Sequence, residues 1–349
     1  MMKRKEREGF GPAVWLLMAA ALAAALVLCV SLGSVRIPVR DTAAAIWNGI
    51  WGKPMPEGVS GPIILSVRLP RVLCAALCGA ALSLCGAAMQ GLLRNPLADG
   101  STMGVSSGAA LGAMLALLTG FSLPGFPLGG TVVMAIVFAF LSLVLILGLV
   151  FALDHSLSTY TIILIGVIFS MFASSVMSLM IAFAGEKVKS LTFWTLGSLS
   201  GSGYEHVLLV LGALLIFGSV LLGMARELNA FAVGEENARA IGVNIRRVKL
   251  TVLICVSALI GVCVSVGGTI GFVGLVVPHM ARMITGPNHR RLLPASLFGG
   301  AVFLLLADLT ARMLLRPVEL PIGVVTSMIG AVVFVVIFYR SRKAGRGAC

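Results

Sequence analysis

Long apolar runs separated by short polar connections fill this chain from end to end. Ten apolar segments can be marked, near residues 12–33, 63–93, 98–119, 130–152, 160–184, 206–224, 249–268, 270–286, 294–314 and 321–339. Each is long enough to cross a hydrocarbon core about 30 Å thick as a helix. Several are interrupted by Gly or Pro, which membrane helices tolerate when neighbours re-satisfy the backbone. The pattern predicts an all-α polytopic membrane protein of about ten transmembrane helices, organised as one domain over 1–349. Its expected parts are a polar tail at 1–11, a ten-span bundle at 12–340 and a second tail at 341–349.

Two connections are longer than the rest. Residues 34–62 include VRDTAAAIWNGIWGK, a short amphipathic stretch whose Trp47 and Trp51 suit a membrane interface. Residues 225–248 read ARELNAFAVGEENARAIGVNIRRV, with small and charged positions unlike the spans around them. The first apolar run is too long for a signal-peptide core, and no A-x-A-like cleavage site follows it. LVLC before Cys29 also lacks the small residue of a lipoprotein cleavage site. The run is therefore expected to be a retained first span.

Composition agrees with the pattern. The 349 residues are 59% hydrophobic and 11% charged, with a mean hydropathy of +1.06, which no soluble domain carries. The net charge of +13 resides in short connections, without a basic stripe interleaved with aromatics, so nucleic acid is not expected as a partner. Placing the N-terminus inside puts 17 Lys and Arg on the cytoplasmic side against 9 outside, and both termini are expected in the cytoplasm. Cys74, Cys78 and Cys85 share a helical face and read as small packing residues. His155, His206, His279 and His289 show no metal-ligand spacing, so neither metal nor cofactor is expected. GxxxxGK[ST] is absent, and no nucleophile–base pair stands out. The chain is not expected to be an enzyme, and an ATP-driven role requires the ATPase on a separate subunit.

Within "RNPLADGSTMGVSSGAALGA", Gly100, Gly104, Gly108 and Gly112 recur every fourth residue. On one helix they form a flat groove for close backbone packing. Asn95-Pro96 is expected to break the preceding helix, and Asp99 to cap the new one.

The stretch "RLPRVLCAALCGAALSLCGAAMQGLLRNPLADGSTMGVSSGAALGA" resembles the signature of the FecCD-type permeases. These are membrane subunits of ABC importers for iron–siderophore complexes, haem and cobalamin. "LTFWTLGSLSG", "ARAIGVNIRRVK", "GTIGFVGLVVPHMAR", "LLLADLTAR" and "ELPIGVVTSMIGAVVF" follow in the family's order. The resemblance implies a type II importer permease fold in the bacterial cytoplasmic membrane, working beside a second permease copy or related subunit. It further implies an ABC ATPase dimer and an extracytoplasmic substrate-binding protein as partners. Glu235, Glu236, Asn237, Ala238, Arg239, Ala240 and Ile241 look like the coupling helix, closed by Gly242, within the coupling loop 225–248. Arg68, Arg71 and Arg312 match positions at which related permeases meet acidic residues of the binding protein. Asp308, four residues before Arg312, is placed to pair with it. An iron(III)–siderophore complex is the first cargo expected, as the commonest in such permeases, with haem and cobalamin open.

Ser170, Ser174, Ser175, Ser178, Thr326 and Ser327 are candidates to line a path or merely to pack. An ion-coupled secondary transporter is the rival class. It needs buried ionisable relays near the midplane, whereas Asp99 and Asp154 fall at the inner boundary and Asp308 near the outer one.

Overall fold

A computed structural model describes residues 9–33, 37–54, 61–100, 103–123, 129–154 and 158–346. The basic residues before position 8, Arg36 and His155 lie outside the described residues.

The apolar runs fold as helices: α1 (Pro12–Ser31), α2 (Val39–Ile50), α3 (Leu69–Leu92), α4 (Val105–Thr119), α5 (Gly129–Leu153), α6 (Thr159–Ala182) and α7 (Val188–Thr195). Then come α8 (Tyr204–Ala213), α9 (Ser219–Gly223), α10 (Ala225–Val233), α11 (Glu235–Ala240), α12 (Ile245–Gly267), α13 (Val273–Thr285), α14 (His289–Met313) and α15 (Ile322–Arg346). Wider π-helical turns at Ile63–Arg68 and Leu214–Gly218 prolong α3 and join α8 to α9. Among the described residues seven segments are long and apolar enough to span a membrane: Pro12–Ser31, Ile63–Leu92, Gly129–Leu153, Thr159–Ala182, Tyr204–Gly223, Ile245–Gly267 and His289–Met313. Three shorter apolar helices, Val105–Thr119, Val273–Thr285 and Ile322–Ile337, complete the ten expected from the sequence.

The 30-residue span Ile63–Leu92 is the axis, 83% buried over its apolar window against 17% for α6. Helices in lipid gain little from hydrophobic burial and associate through close contact of small residues. That is how α3 is held: its most extensive packing is on α14, with α12 and α13 alongside. A methyl on Gly79 would overlap the Gly300 carbonyl of α14, and one on Gly86 would overlap the Gly274 carbonyl of α13. Cys74, Cys78 and Cys85 lie on the same packed helix, all but fully buried.

The glycine seam is not one helical stripe. Helix α4 starts at Val105, and Gly104 precedes it in the left-handed region at φ 76°. Gly108 and Gly112 pack on α5 at Ser142, Phe138 and Met134 as the period requires. Gly104 instead meets Phe169 of α6, and Gly100 lies in the preceding connection against Ile260 of α12. Asp99, six residues before the helix, is not its N-cap; that position is Gly104, which has no side chain to cap with. The break at Asn95-Pro96 is present: α3 has ended at Leu92, and Asn95 Oδ1 accepts from the Leu97 N–H at 2.9 Å.

Helix α2 is the amphipathic element expected in the first long connection. Ala45 and Thr42 are buried, while Trp47 and Trp51 are exposed with ring centroids 5.7 Å apart.

Candidate functional site

Three regions along the bundle gather most of the residues singled out in the sequence. The first lies at the end marked by α2, where Arg68, Arg71 and Arg312 are 6%, 8% and 4% exposed. Arg71 donates through Nε to Asp308 Oδ1 at 3.0 Å and through Nη1 to Glu319 Oε2 at 2.7 Å. Arg312, one turn after Asp308 on α14, stands 2.9 Å from Asp308 Oδ2. That approach is an ion contact rather than an aligned hydrogen bond, for its Nε–H points to the Asp308 carbonyl at 3.4 Å. The other Arg312 nitrogens donate to the carbonyls of Leu32 at 3.2 Å and Cys29 at 3.1 Å. Arg68 donates to the carbonyls of Val30 and Ser31 at 3.1 and 3.2 Å. The three guanidiniums therefore tie the end of α1, the start of α3, α14 and the loop before α15 together. They do not project outward as sequence position suggests: α1 leaves orphan carbonyls at its end, and long side chains within reach satisfy them. The expected Asp308–Arg312 pair is present. Glu319, in the connection after α14, is a member that sequence periodicity did not single out.

The second region is a cavity of about 480 Å³ bordered by α3, α4, α12 and α15, with Asp99, Ser106, Thr195, Thr269, Ser327 and Met328 among its lining. It forms where α12 stops and α13 starts. Gly268 takes φ 68° and Phe272 φ 66°, a left-handed pair that turns the chain back on itself. The break is anchored on its neighbours: the Thr269 hydroxyl donates to the Thr195 carbonyl, and the Ser198 N–H to the Gly267 carbonyl at 2.9 Å. Non-helical backbone at this depth is tolerated where it borders a cavity. Of the serines and threonines singled out in the sequence, Ser327 lines the cavity and Thr326 is fully buried, donating to the Gly323 carbonyl at 3.1 Å. Ser174, Ser175 and Ser178 instead lie on the exposed face of α6, beside Val167, Met171 and Phe172. Ser170 donates to the Gly166 carbonyl at 2.9 Å.

The third region is at the opposite end, where α10 and α11 occupy the second long connection. Residues 235–240 form the short helix expected there, entered through Gly234 at φ 128° and left through Gly242 at φ 89°. Ala238 is fully buried, whereas Glu236, Asn237, Arg239, Ala240, Ile241 and Gly242 are exposed, Ile241 by 73%. Glu235 pairs with the fully buried Lys249 Nζ of α12 at 2.9 Å, fixing one edge of the helix to the bundle. The result is an apolar and charged surface on a short rigid element. His206 keeps to its own turn, its Nδ1 accepting from the Gly203 N–H at 3.1 Å. His279 and His289 share a pocket with Arg94 and Arg282 at the α11 end, a grouping that the sequence does not reveal.

The FecCD transport family is matched over residues 21–340. The ABC transporter permease protein YvrB of Bacillus subtilis is 43% identical over 332 residues, with 93% of both chains covered. The molybdate import system permease protein MolB of Haemophilus influenzae is 35% identical over 321 residues, covering 91% of this chain and 93% of its own. Other relatives are named for cobalamin, hemin and siderophore transport. Among solved structures, an inward-facing metal-chelate type ABC transporter superposes with a TM-score of 0.83 at 34% identity, over 95% of this chain and 100% of that one.

Proposed function

This chain belongs to the FecCD transport family and is the permease of an ABC importer, and from that premise we propose that its cargo is a metal chelate, first an iron(III)–siderophore complex. The likeness to the metal-chelate type transporter over the whole chain carries this reading. The mixed cavity lining, apolar side chains interspersed with serine and threonine hydroxyls and a single acid, Asp99, suits a bulky chelate with apolar and polar faces.

In this reading the protein is half of a permease pair in the bacterial cytoplasmic membrane, with both termini inside. The exposed, serine-bearing face of α6 supports a second copy or related subunit there. The exposed positions of Glu235–Gly242 support docking of an ABC ATPase dimer, which supplies all the ATP chemistry. The extracytoplasmic binding protein docks on the end marked by α2. Arg68, Arg71 and Arg312 serve that docking from behind, holding α1, α14 and the Glu319 loop in one register.

Reconstitution into vesicles with the cognate ATPase and binding protein tests the reading. ATP-dependent uptake is expected for labelled iron–siderophore and not for haem, cobalamin or molybdate. Preferential uptake of one of those three would replace the cargo. Gradient-driven uptake by the chain alone would remove the importer mechanism.

A further inference from the structure

Arg94 and Gln90 at the end of α3, His279 and Arg282 on α13, and His289 at the start of α14 surround one cavity of about 320 Å³, with Ala232 of α10 at its edge. The residues come from two quoted motifs and a third segment that are separated by nearly two hundred positions. Its described lining contains two guanidiniums and no carboxylate. Arg282 Nε and Nη2 are buried and find no hydrogen-bond acceptor among the described residues. Buried polar groups are ordinarily satisfied, and a buried cation lacking a counter-charge is costly. Among the described residues none supplies the counter-charge, which leaves the cavity suited to a bound anion.

The lining also presents acceptors whose orientation is fixed. Gln90, 2% exposed, donates its Nε2–H to the carbonyls of Gly274 at 3.4 Å and Leu275 at 3.2 Å, so its unpartnered Oε1 is the remaining face. Asn229 Nδ2 donates to Asn288 Oδ1 at 2.9 Å, which leaves Asn229 Oδ1 to accept the His289 backbone N–H at 2.8 Å. The same oxygen faces His289 Nδ1 at 2.9 Å, so Nδ1 carries a hydrogen. In neutral imidazole Nε2 is then a bare acceptor, but it is aimed at Gly91, where a side-chain carbon would stand 2.3 Å away, so Gln90 Oε1 is the acceptor left for a ligand.

We infer that this cavity binds a protonated phosphate-type oxyanion, either free monohydrogen phosphate or a phosphomonoester headgroup. Its oxygens accept from Arg282 and Arg94, and its P–OH donates to Gln90 Oε1. Sulfate and chloride match the guanidiniums but have no hydrogen for that acceptor. The position matters, since a side-chain carbon on Gly234, at the entry to α11, would stand 3.8 Å from Arg94 Nη1. The occupant borders the segment proposed to meet the ATPase, yet the site itself is independent of the cargo.

Thermal unfolding of the purified full chain in detergent tests the site, with inorganic phosphate titrated against sulfate and chloride at equal ionic strength and neutral pH. A saturable rise in midpoint is expected with phosphate, with sulfate binding several-fold more weakly. Arg282→Gln and Arg94→Gln should each weaken phosphate by at least about tenfold, the loss of one charge-assisted hydrogen bond. Arg94 is exposed, so Arg94→Gln keeps its unfolding midpoint in chloride and decides the matter if Arg282→Gln does not accumulate. Arg40→Gln, at the other end, should change nothing. A parallel arm compares nanodiscs with and without phosphatidic acid: retention of that lipid, lost in Arg94→Gln, identifies the headgroup as the source. Equal responses to sulfate and phosphate, or variants that respond like the wild type, mean an adventitious ion only and overturn the site.

Discussion

Arg71 and Asp308, 237 positions apart in the chain, meet at 3.0 Å where Asp308 has no solvent access. Removing one partner of such a pair leaves an uncompensated charge in a poorly solvated place, at a cost of about 3–5 kcal/mol. Asp308→Asn is therefore expected to lower the thermal midpoint in detergent sharply. Glu319, with its side chain 40% exposed, should matter far less, about 0–1 kcal/mol for Glu319→Gln. Equal midpoints for the two variants would show that burial does not set the value of this network.

The helix crossings at Gly79–Gly300 and Gly86–Gly274 leave no room for a side chain. Gly79→Leu and Gly86→Leu should fail to yield a monodisperse peak in fluorescence-detected size exclusion. Gly148→Leu on α5 faces open space and should behave as wild type. The comparison separates close packing from a general intolerance of glycine replacement.

Ala240 and Ile241 are exposed on the short helix, so Ala240→Trp and Ile241→Asp should insert and unfold normally. Stimulation of the partner ATPase and substrate uptake should both fall by at least about tenfold, as for loss of a central interface contact. Full uptake and full stimulation in these variants would dissociate this surface from coupling.

Charge reversal at Arg68, Arg71 and Arg312 together should weaken binding-protein docking by at least about tenfold, a level readable by surface plasmon resonance. Because each guanidinium is committed to internal acceptors, the thermal midpoint should fall in parallel. Reversal at the exposed Arg40 and Lys53 isolates the purely electrostatic part of docking, without loss of stability. Undiminished affinity in the triple variant would exclude any part for these arginines in docking.

Much of the fold was legible because lipid imposes a length and a polarity on every span, and all ten apolar segments reappear as helices. The short helix after Gly234 was legible for a similar reason, since its charged and small residues break the surrounding apolar pattern. The start of α4 was not, because glycines at Gly100 and Gly104 satisfy helical spacing while also permitting the non-helical backbone that Gly104 adopts. The direction of the arginines was also hidden. A position near a membrane boundary permits either an outward cation or one folded back onto the ends of helices, and only the nearby carbonyls of Cys29, Val30, Ser31 and Leu32 decide. The basic cavity around Arg282 was invisible for want of any short-range signal, as its members come from separate helices.

Where α3 and α14 cross at Gly79 and Gly300, main chain rests directly on main chain with no flexible cushion between. Such a joint cannot creep by rotamer changes; it either stays shut or comes fully apart. The two helices must consequently travel as one stiff plank through any working stroke, leaving the looser outer helices to do the bending.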